Sequence, residues 1–182
     1  MEPRIWLIGG PTASGKTAIS LRLAREIGGE IVNADSIQLY GDLRILSARP
    51  TPEDMAQAPH HLFGVADGGE AWSVGAWRRA VLPVIADIRA RGASPILVGG
   101  TGLYFRSLTH GLADIPQGPP ETRAEAEAAF ETLGETAFRT RLGEIDPAAA
   151  ARIAPGDRQR LVRAWVVYLA AAIGRAAWRG RG

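Results

Sequence analysis

Residues 10–17 read Gly10-Pro11-Thr12-Ala13-Ser14-Gly15-Lys16-Thr17 and fit the pattern G-x-x-x-x-G-K-[ST]. The pattern constrains the fold because it works only as a turn between a buried strand and the start of a helix. There the backbone N–H groups and the helix dipole converge on an anion, and a lysine ammonium reaches its terminal phosphate. The flanks are suited to that role. Ile5-Trp6-Leu7-Ile8 is a short apolar run of the kind a buried strand needs, and Ala18 to Ile27 carries Ile19, Leu23 and Ile27 at helical spacing before Gly28-Gly29 stops the helix. Lys16 is the only lysine in the chain, and a compact ammonium on a flexible stem suits the task better than a guanidinium. Thr17 offers a hydroxyl to Mg2+. The ligand expected from the loop is a diphosphate or polyphosphate.

The segments that follow extend the same architecture. Glu30-Ile31-Val32-Asn33-Ala34 reads as a second strand ending at Asp35, and Pro50, Pro52 and Pro59 mark an irregular region around a short helical piece at Glu53 to Gln57. Ser73 is a good N-cap for a long helix reaching Arg91, with Val74, Trp77, Val81 and Ile85 on one face and Gly92 beyond its end. Pro95-Ile96-Leu97-Val98 is a third buried strand, closed by Gly99-Gly100-Thr101-Gly102. Strands alternating with such helices predict an α/β fold, a parallel sheet with helices on both faces. Ligands in such sheets sit beyond the carboxyl ends of the strands, which places the glycine loop, Asp35 and Thr101 on one rim.

Gly111 to Pro120 holds Pro116, Pro119 and Pro120 and reads as a linker. Beyond it, Glu121 to Leu133, Thr136 to Ile145, Ala148 to Ile153 and Asp157 to Ile173 read as helices. The expected organisation is an α/β core over residues 1–113 and a small helical lobe over residues 114–182. Acidic residues dominate from Ala113 to Asp146, whereas from Pro147 onward only Asp157 opposes Arg152, Arg158, Arg160, Arg163, Arg175, Arg179 and Arg181. Such a basic stretch is either a phosphate-binding surface or a set of solvated helix faces.

With 46% hydrophobic and 22% charged residues the chain reads as soluble and globular. It has no cysteine, which excludes disulfides and thiolate metal sites. The longest late apolar run, Ala164 to Ile173, is too short to span a bilayer, and no secretory signal is evident, so a cytoplasmic protein without membrane contact is expected.

Several residues carry candidate chemistry. Asp35, at the end of a core strand, either holds Mg2+ through water or takes a proton from an attacking group; its bland role is a helix N-cap. Ser36 and Gln38 have side chains able to hydrogen-bond the edge of a heterocycle, although polar residues after a strand also serve as a turn. Thr101, between glycines, has a hydroxyl that can orient a reacting amine or phosphate. His60 and His61 lack further ligands at metal spacing and read as packing or hydrogen-bonding residues. Trp6, Trp72 and Trp77 read as core or core-edge residues. In Asp157-Arg158-Gln159-Arg160-Leu161-Val162-Arg163 a helix puts Arg160 and Arg163 on one face with Gln159 near them, while Leu161, Val162 and Trp165 turn inward; such a face suits phosphates and exposed bases.

In this order and spacing, GPTASGKT (10–17), DSIQLY (35–40), His60-His61-Leu62, GGTGLY (99–104) and DRQRLVR (157–163) resemble the tRNA dimethylallyltransferases, also called isopentenyl-diphosphate:tRNA transferases. The resemblance runs from about Ile5 to about Tyr168. It implies transfer of a dimethylallyl group from dimethylallyl diphosphate to the exocyclic amine of the adenosine 3′ of the anticodon, in tRNAs reading codons that begin with U. It further implies that the loop holds the prenyl diphosphate with Mg2+, that Asp35 is the general base and that Thr101 orients the amine. Ser36, Ile37 and Gln38 would contact the flipped base. Arg123 with Gln159, Arg160, Leu161, Val162 and Arg163 would contact the tRNA anticodon stem-loop, and the protein would act as a monomer.

The sequence departs from the family pattern at three places. Trp72 stands where the family has Tyr, and Leu46-Ser47-Ala48-Arg49-Pro50 replaces Gly-Thr-Ala-Lys-Pro, leaving Arg49 as the cation. From Leu169 to Gly182 the resemblance ends, so a truncated or frameshifted relative with much reduced activity is expected. Two rival readings are a small-molecule P-loop kinase with ATP in the loop and a non-catalytic tRNA-binding remnant.

Overall fold

A computed structural model of the chain describes residues 3–112 and 120–179. The chain divides into two compact units, Met1–Leu112 and Ala113–Gly182. Most of the linker read at Gly111 to Pro120, residues 113–119, lies outside the described residues.

The first unit is a parallel sheet of four strands in the order β1-β4-β2-β3, where β1 is Trp6–Gly9, β2 is Gly29–Asn33, β3 is His60–His61 and β4 is Ser94–Gly99. Every ladder is parallel, with Gly9 beside Gly99 and Asn33 beside Val98. Alternation along the two inner strands sends neighbouring side chains to opposite faces. Ile31, Ile96 and Val98 pack with Leu21 and Ala24 of helix α1 (Lys16–Ile27). Val32 and Leu97 face the other way, into a core with Trp77, Val81, Ile85 and Ile88 of α3 (Val74–Ala90) and Tyr104 of α4 (Gly102–Thr109). Helix α3 begins where its sequence directs, with the Ser73 hydroxyl accepting the Ala76 N–H at 3.1 Å. A short α2 (Pro52–Met55) is closed by a capping box between Thr51 and Asp54.

Two expectations need correction. β1 is not fully buried: Trp6 and Leu7 are 38% and 42% exposed, and Ile5 just before the strand is 46% exposed; among the described residues β1 is an outer strand that pairs with β4. Trp6 is therefore a core-edge residue rather than a core one. In α1 the buried stripe is Ser20, Leu21 and Ala24, while Ile19 and Ile27 face outward; the apolar periodicity marks the helix without marking its inner face.

At the far end of β2 the buried carboxylate of Glu30 accepts from Arg91 Nη2 at 2.8 Å and lies 2.6 Å from His61 Nε2. Burial pushes this carboxyl up, but the bonds from Arg91 and His61 outweigh that and hold it below the ordinary Glu range. The histidine pair thus divides. His61 lies within hydrogen-bond distance of the Glu30 carboxylate, whereas His60 packs edge-on against Phe63 and is held below its usual pKa by burial.

The second unit is helical: α5 (Pro120–Ile145), α6 (Pro147–Arg152) and α7 (Arg158–Arg179). The continuous α5 is broken at Gly134, whose φ of 70° and ψ of 168° interrupt the helix, in keeping with two helices read on either side of that glycine. Phe138, Leu142, Ala149, Ile153 and Leu161 form its core. Arg139 donates to the carbonyls of Ala150, Ile153 and Ala154 at 2.8, 2.6 and 3.0 Å. The bonds to Ala150 and Ile153 satisfy carbonyls that the end of α6 leaves without helical partners, while the Ala154 carbonyl, beyond the helix, also accepts from the Asp157 N–H at 3.2 Å.

Candidate active site

The carboxyl ends of β1, β2 and β4 bring three segments together within the first unit. The loop after β1 reaches α1 through two residues in the left-handed region, Ala13 at φ 62° and Gly15 at φ 82°. Lys16 folds back across this loop, its Nζ donating to the Pro11 carbonyl. Gly10 sits close under Ser14, where a β-carbon would lie 3.1 Å from the Ser14 hydroxyl. The Gly10 N–H donates to the Gly99 carbonyl at 3.4 Å, tying the loop to the end of β4.

Asp35, half-buried just past β2, faces that junction. Its Oδ1 accepts from the Ile37 N–H at 3.0 Å and its Oδ2 from the Gly100 N–H at 3.3 Å. A β-carbon on Gly100 would lie 3.2 Å from Asp35 Oδ2 and 3.5 Å from the Gly10 carbonyl, so one bare backbone segment separates the carboxylate from the glycine loop. Thr101 stands beside it; its Oγ1 accepts from the Ser36 N–H at 2.9 Å and donates to Ser36 Oγ at 3.3 Å. Behind the rim, Tyr104 stacks on Trp77 with ring centroids 4.2 Å apart. Burial, with the charges of Tyr40 and Asp35, pushes its phenol up to about 12, so it stays neutral.

Other residues singled out in the sequence take different places. Ile37 is 47% exposed on the rim. The Gln38 side-chain N–H groups are used on the carbonyls of Ser47 and Ala48 at 2.9 and 3.2 Å, so this amide holds the following turn and retains only its oxygen for a further partner. Arg49 donates to the Tyr40 carbonyl at 3.2 Å and lies against Gly64, where a β-carbon would overlap its guanidinium. Trp72 donates from Nε1 to Glu70 at 2.8 Å.

One residue of evident importance carries no role in the sequence reading. Asn33 is completely buried, and its side chain holds both the N–H and the C=O of Asp35. The available signal is a polar residue inside an otherwise apolar strand, two positions before a candidate base.

In the second unit, Arg123, Glu127, Arg158, Gln159, Arg160, Val162, Arg163 and Val166 line a cavity of about 610 Å³. Arg123, far from the others in sequence, is thereby brought together with the start of α7. Arg160 and Arg163 are exposed. Arg123 pairs with Glu127 at 2.8 Å and Arg160 with Asp157 at 3.0 Å. Leu161 requires a correction as a contact residue: its side chain is fully buried against Phe138 and Leu142, and it supports this surface from within.

A parallel α/β sheet with a glycine loop, a carboxylate and a threonine on one rim belongs to the class of α/β folds whose ligands sit beyond the carboxyl ends of the strands. Comparison with known proteins narrows the class. A family model described as IPP transferase matches residues 38–180, and one described as isopentenyl transferase matches residues 3–63. The chain belongs to the IPP transferase family. A tRNA dimethylallyltransferase of Phenylobacterium zucineum (strain HLK1) is 68% identical over 93% of this chain and 55% of its own length. One from Caulobacter sp. (strain K31) is 55% identical over 98% of this chain and 58% of its own length.

Among solved structures, a eukaryotic dimethylallyltransferase acting on tRNA superposes with a TM-score of 0.77 at 28% identity, over 92% of this chain and 42% of that one. The tRNA isopentenylpyrophosphate transferase of Bacillus halodurans gives 0.60 at 38% identity, over 93% and 56%. The chain spans about half the length of the curated relatives it matches. Among the described residues no helix is long and apolar enough to cross a membrane.

Proposed function

We propose that this chain carries the diphosphate-binding and base-activating machinery of tRNA prenylation, acting as a monomer in the cytoplasm. The reaction moves a dimethylallyl group from dimethylallyl diphosphate to N6 of the adenosine 3′ of the anticodon in tRNAs reading U-initial codons. The observation that carries this reading is the approach of Asp35 to the glycine loop across the bare backbone of Gly100.

An exocyclic aromatic amine is a poor nucleophile, so a base that removes its proton as the new bond forms lowers the barrier. Asp35 is that base. The N6–C bond forms as the allylic C–O bond breaks, the bonding pair leaves with the diphosphate, and the N6 proton goes to the carboxylate. Thr101 orients the amine, and Ser36, Ile37 and the Gln38 oxygen border the base. Lys16 and the N–H groups of residues 12–17 stabilise the negative charge gathering on the leaving diphosphate. The Thr17 hydroxyl suits a hard cation such as Mg2+, which when bound would neutralise diphosphate charge.

The target base must leave the anticodon-loop stack, which costs a few kcal/mol that RNA contacts offset. Arg123, Gln159, Arg160 and Arg163 supply such contacts on the helical unit, with phosphates as partners of the arginines, while Val162, buried beside Ala126 and Val166, backs this surface. A kinase would use the same loop for ATP, but membership of the IPP transferase family does not favour that reading. Thermal shift tests the choice: dimethylallyl diphosphate with Mg2+ should raise the melting temperature more than ATP at equal concentration. A larger shift with ATP would overturn the assignment.

A further inference from the structure

Asn33 is the last residue of β2 and is fully buried, in a strand whose every residue is buried. Its amide makes three hydrogen bonds: Nδ2 donates to the Asp35 carbonyl and to the Leu62 carbonyl, each at 3.0 Å, while Oδ1 accepts from the Asp35 N–H at 2.8 Å. Both donor hydrogens are used. The reverse orientation would turn the amide oxygen toward two carbonyls, so the network itself fixes which end donates.

These bonds solve a problem at the end of the strand. The ladder stops after Ala34, whose N–H donates to Val98 and whose carbonyl accepts from Thr101. The N–H and C=O of Asp35 therefore lie past the last regular pairing, and a half-buried peptide there needs partners. One side chain supplies both. From behind, the Asn33 carbonyl accepts from Trp77 Nε1 at 3.0 Å, which anchors it to α3. From the side, the bond to Leu62 fixes a residue held at a left-handed φ of 61°.

We infer that Asn33 is the positioning residue of this site. By clamping the peptide groups of Asp35 it holds the carboxylate where the Ile37 and Gly100 N–H groups can orient it toward the glycine loop. The inference rests on the reading of Asp35 as the base, although the clamp itself can be measured without turnover.

The test compares Asn33→Ala and Asn33→Ser in the full chain. Serine retains a hydroxyl able to accept the N–H two residues on but loses the link to Leu62. Amide hydrogen exchange followed by NMR should show Ile37 and Gly100 exchanging roughly tenfold faster or more in Asn33→Ala, with Ile96 and Leu97 of β4 unchanged and Asn33→Ser intermediate. In a prenylation assay kcat should fall roughly tenfold or more in Asn33→Ala, as expected for a displaced reacting group, with KM for dimethylallyl diphosphate within about twofold and partial recovery in Asn33→Ser.

Unchanged exchange at Ile37 and Gly100 in both variants would overturn the inference. So would loosening that spreads equally to Ile96 and Leu97, which marks a residue that only supports the fold. If Asn33→Ala does not fold, Asn33→Ser decides by the same exchange criterion. Asp35→Asn run alongside separates the two claims: full turnover in that variant defeats the reading of Asp35 as base and leaves the exchange result on Asn33 standing.

Discussion

The Thr101 hydroxyl oxygen accepts the Ser36 N–H at 2.9 Å and joins two rim segments that are 65 residues apart in the chain. The bond fixes the strand-end turn after β2 to the start of α4, so the positions of Asp35 and of the Gly99–Gly102 turn are not independent.

Thr101→Val preserves shape and removes this bond together with the one from Thr101 Oγ1 to Ser36 Oγ. The half-buried Ser36 amide then lacks its partner, and a loss of about 1–3 kcal/mol in urea unfolding is expected. Prenylation should fall by more than this stability loss explains, because the turn carrying Ser36 and Ile37 is released.

Gly99 and Gly102 make a matched pair for a second prediction. A β-carbon on Gly99 would lie 2.1 Å from the carbonyl carbon and oxygen of Ala34, buried backbone atoms just past β2, whereas one on Gly102 meets nothing within 4 Å. Gly99→Ala should cost about 3 kcal/mol or more. Gly102→Ala, in the first turn of α4, should be neutral or stabilising by up to about 1 kcal/mol. Chemical denaturation of both variants checks the contrast.

How much of this was legible in the sequence depends on whether the cause was local. The Ser73 cap, the long α3 and the split of α5 at Gly134 follow from residues adjacent in the chain, and the structure places them close to the positions the sequence indicates. The exposure of Trp6 and Leu7 depends on which strands flank β1, and apolar composition says nothing of strand order. β3, only His60–His61, is too short for any periodicity to reveal.

The site divides the same way. The loop at residues 10–17 announces itself by its glycines and Lys16, and the strand-end rule gathers Asp35 and Thr101. The use of the Gln38 amide on Ser47 and Ala48 and the clamp of Asn33 on Asp35 arise from contacts that tertiary folding alone creates.

Glu30 gives a pH prediction. Its carboxyl lies below the ordinary value of 4.5 in the folded state. The stability it contributes is therefore present above the unfolded carboxyl range and is lost as pH falls through the lowered folded value. Glu30→Gln should flatten the acid limb of the stability curve. Breaking a fully buried pair costs about 3–5 kcal/mol. The Arg91 side chain is 45% exposed, so a smaller loss of about 1–3 kcal/mol near neutral pH is expected. Urea titrations between acid and neutral pH measure both effects.

The cavity of the helical unit predicts a salt-dependent RNA interaction. Arg160→Ala and Arg163→Ala should each weaken binding of an anticodon stem-loop and lower the slope of log affinity against log salt by about 0.7 for each phosphate that is no longer neutralised. Arg141→Ala, exposed on α5 and outside the cavity lining, should change neither quantity. Fluorescence anisotropy over a series of salt concentrations makes the comparison.

The central claim is that Asp35, held beside the glycine loop, lets an adenine amine capture an allylic carbon. The most direct measurement is mass spectrometry of nucleosides from unmodified tRNA after incubation with this chain, dimethylallyl diphosphate and Mg2+, beside Asp35→Asn. Dimethylallyl adenosine is expected at the position 3′ of the anticodon with the native chain, with nearly all of it lost in the variant. No modified adenosine from the native chain, or equal amounts from both proteins, would contradict the claim.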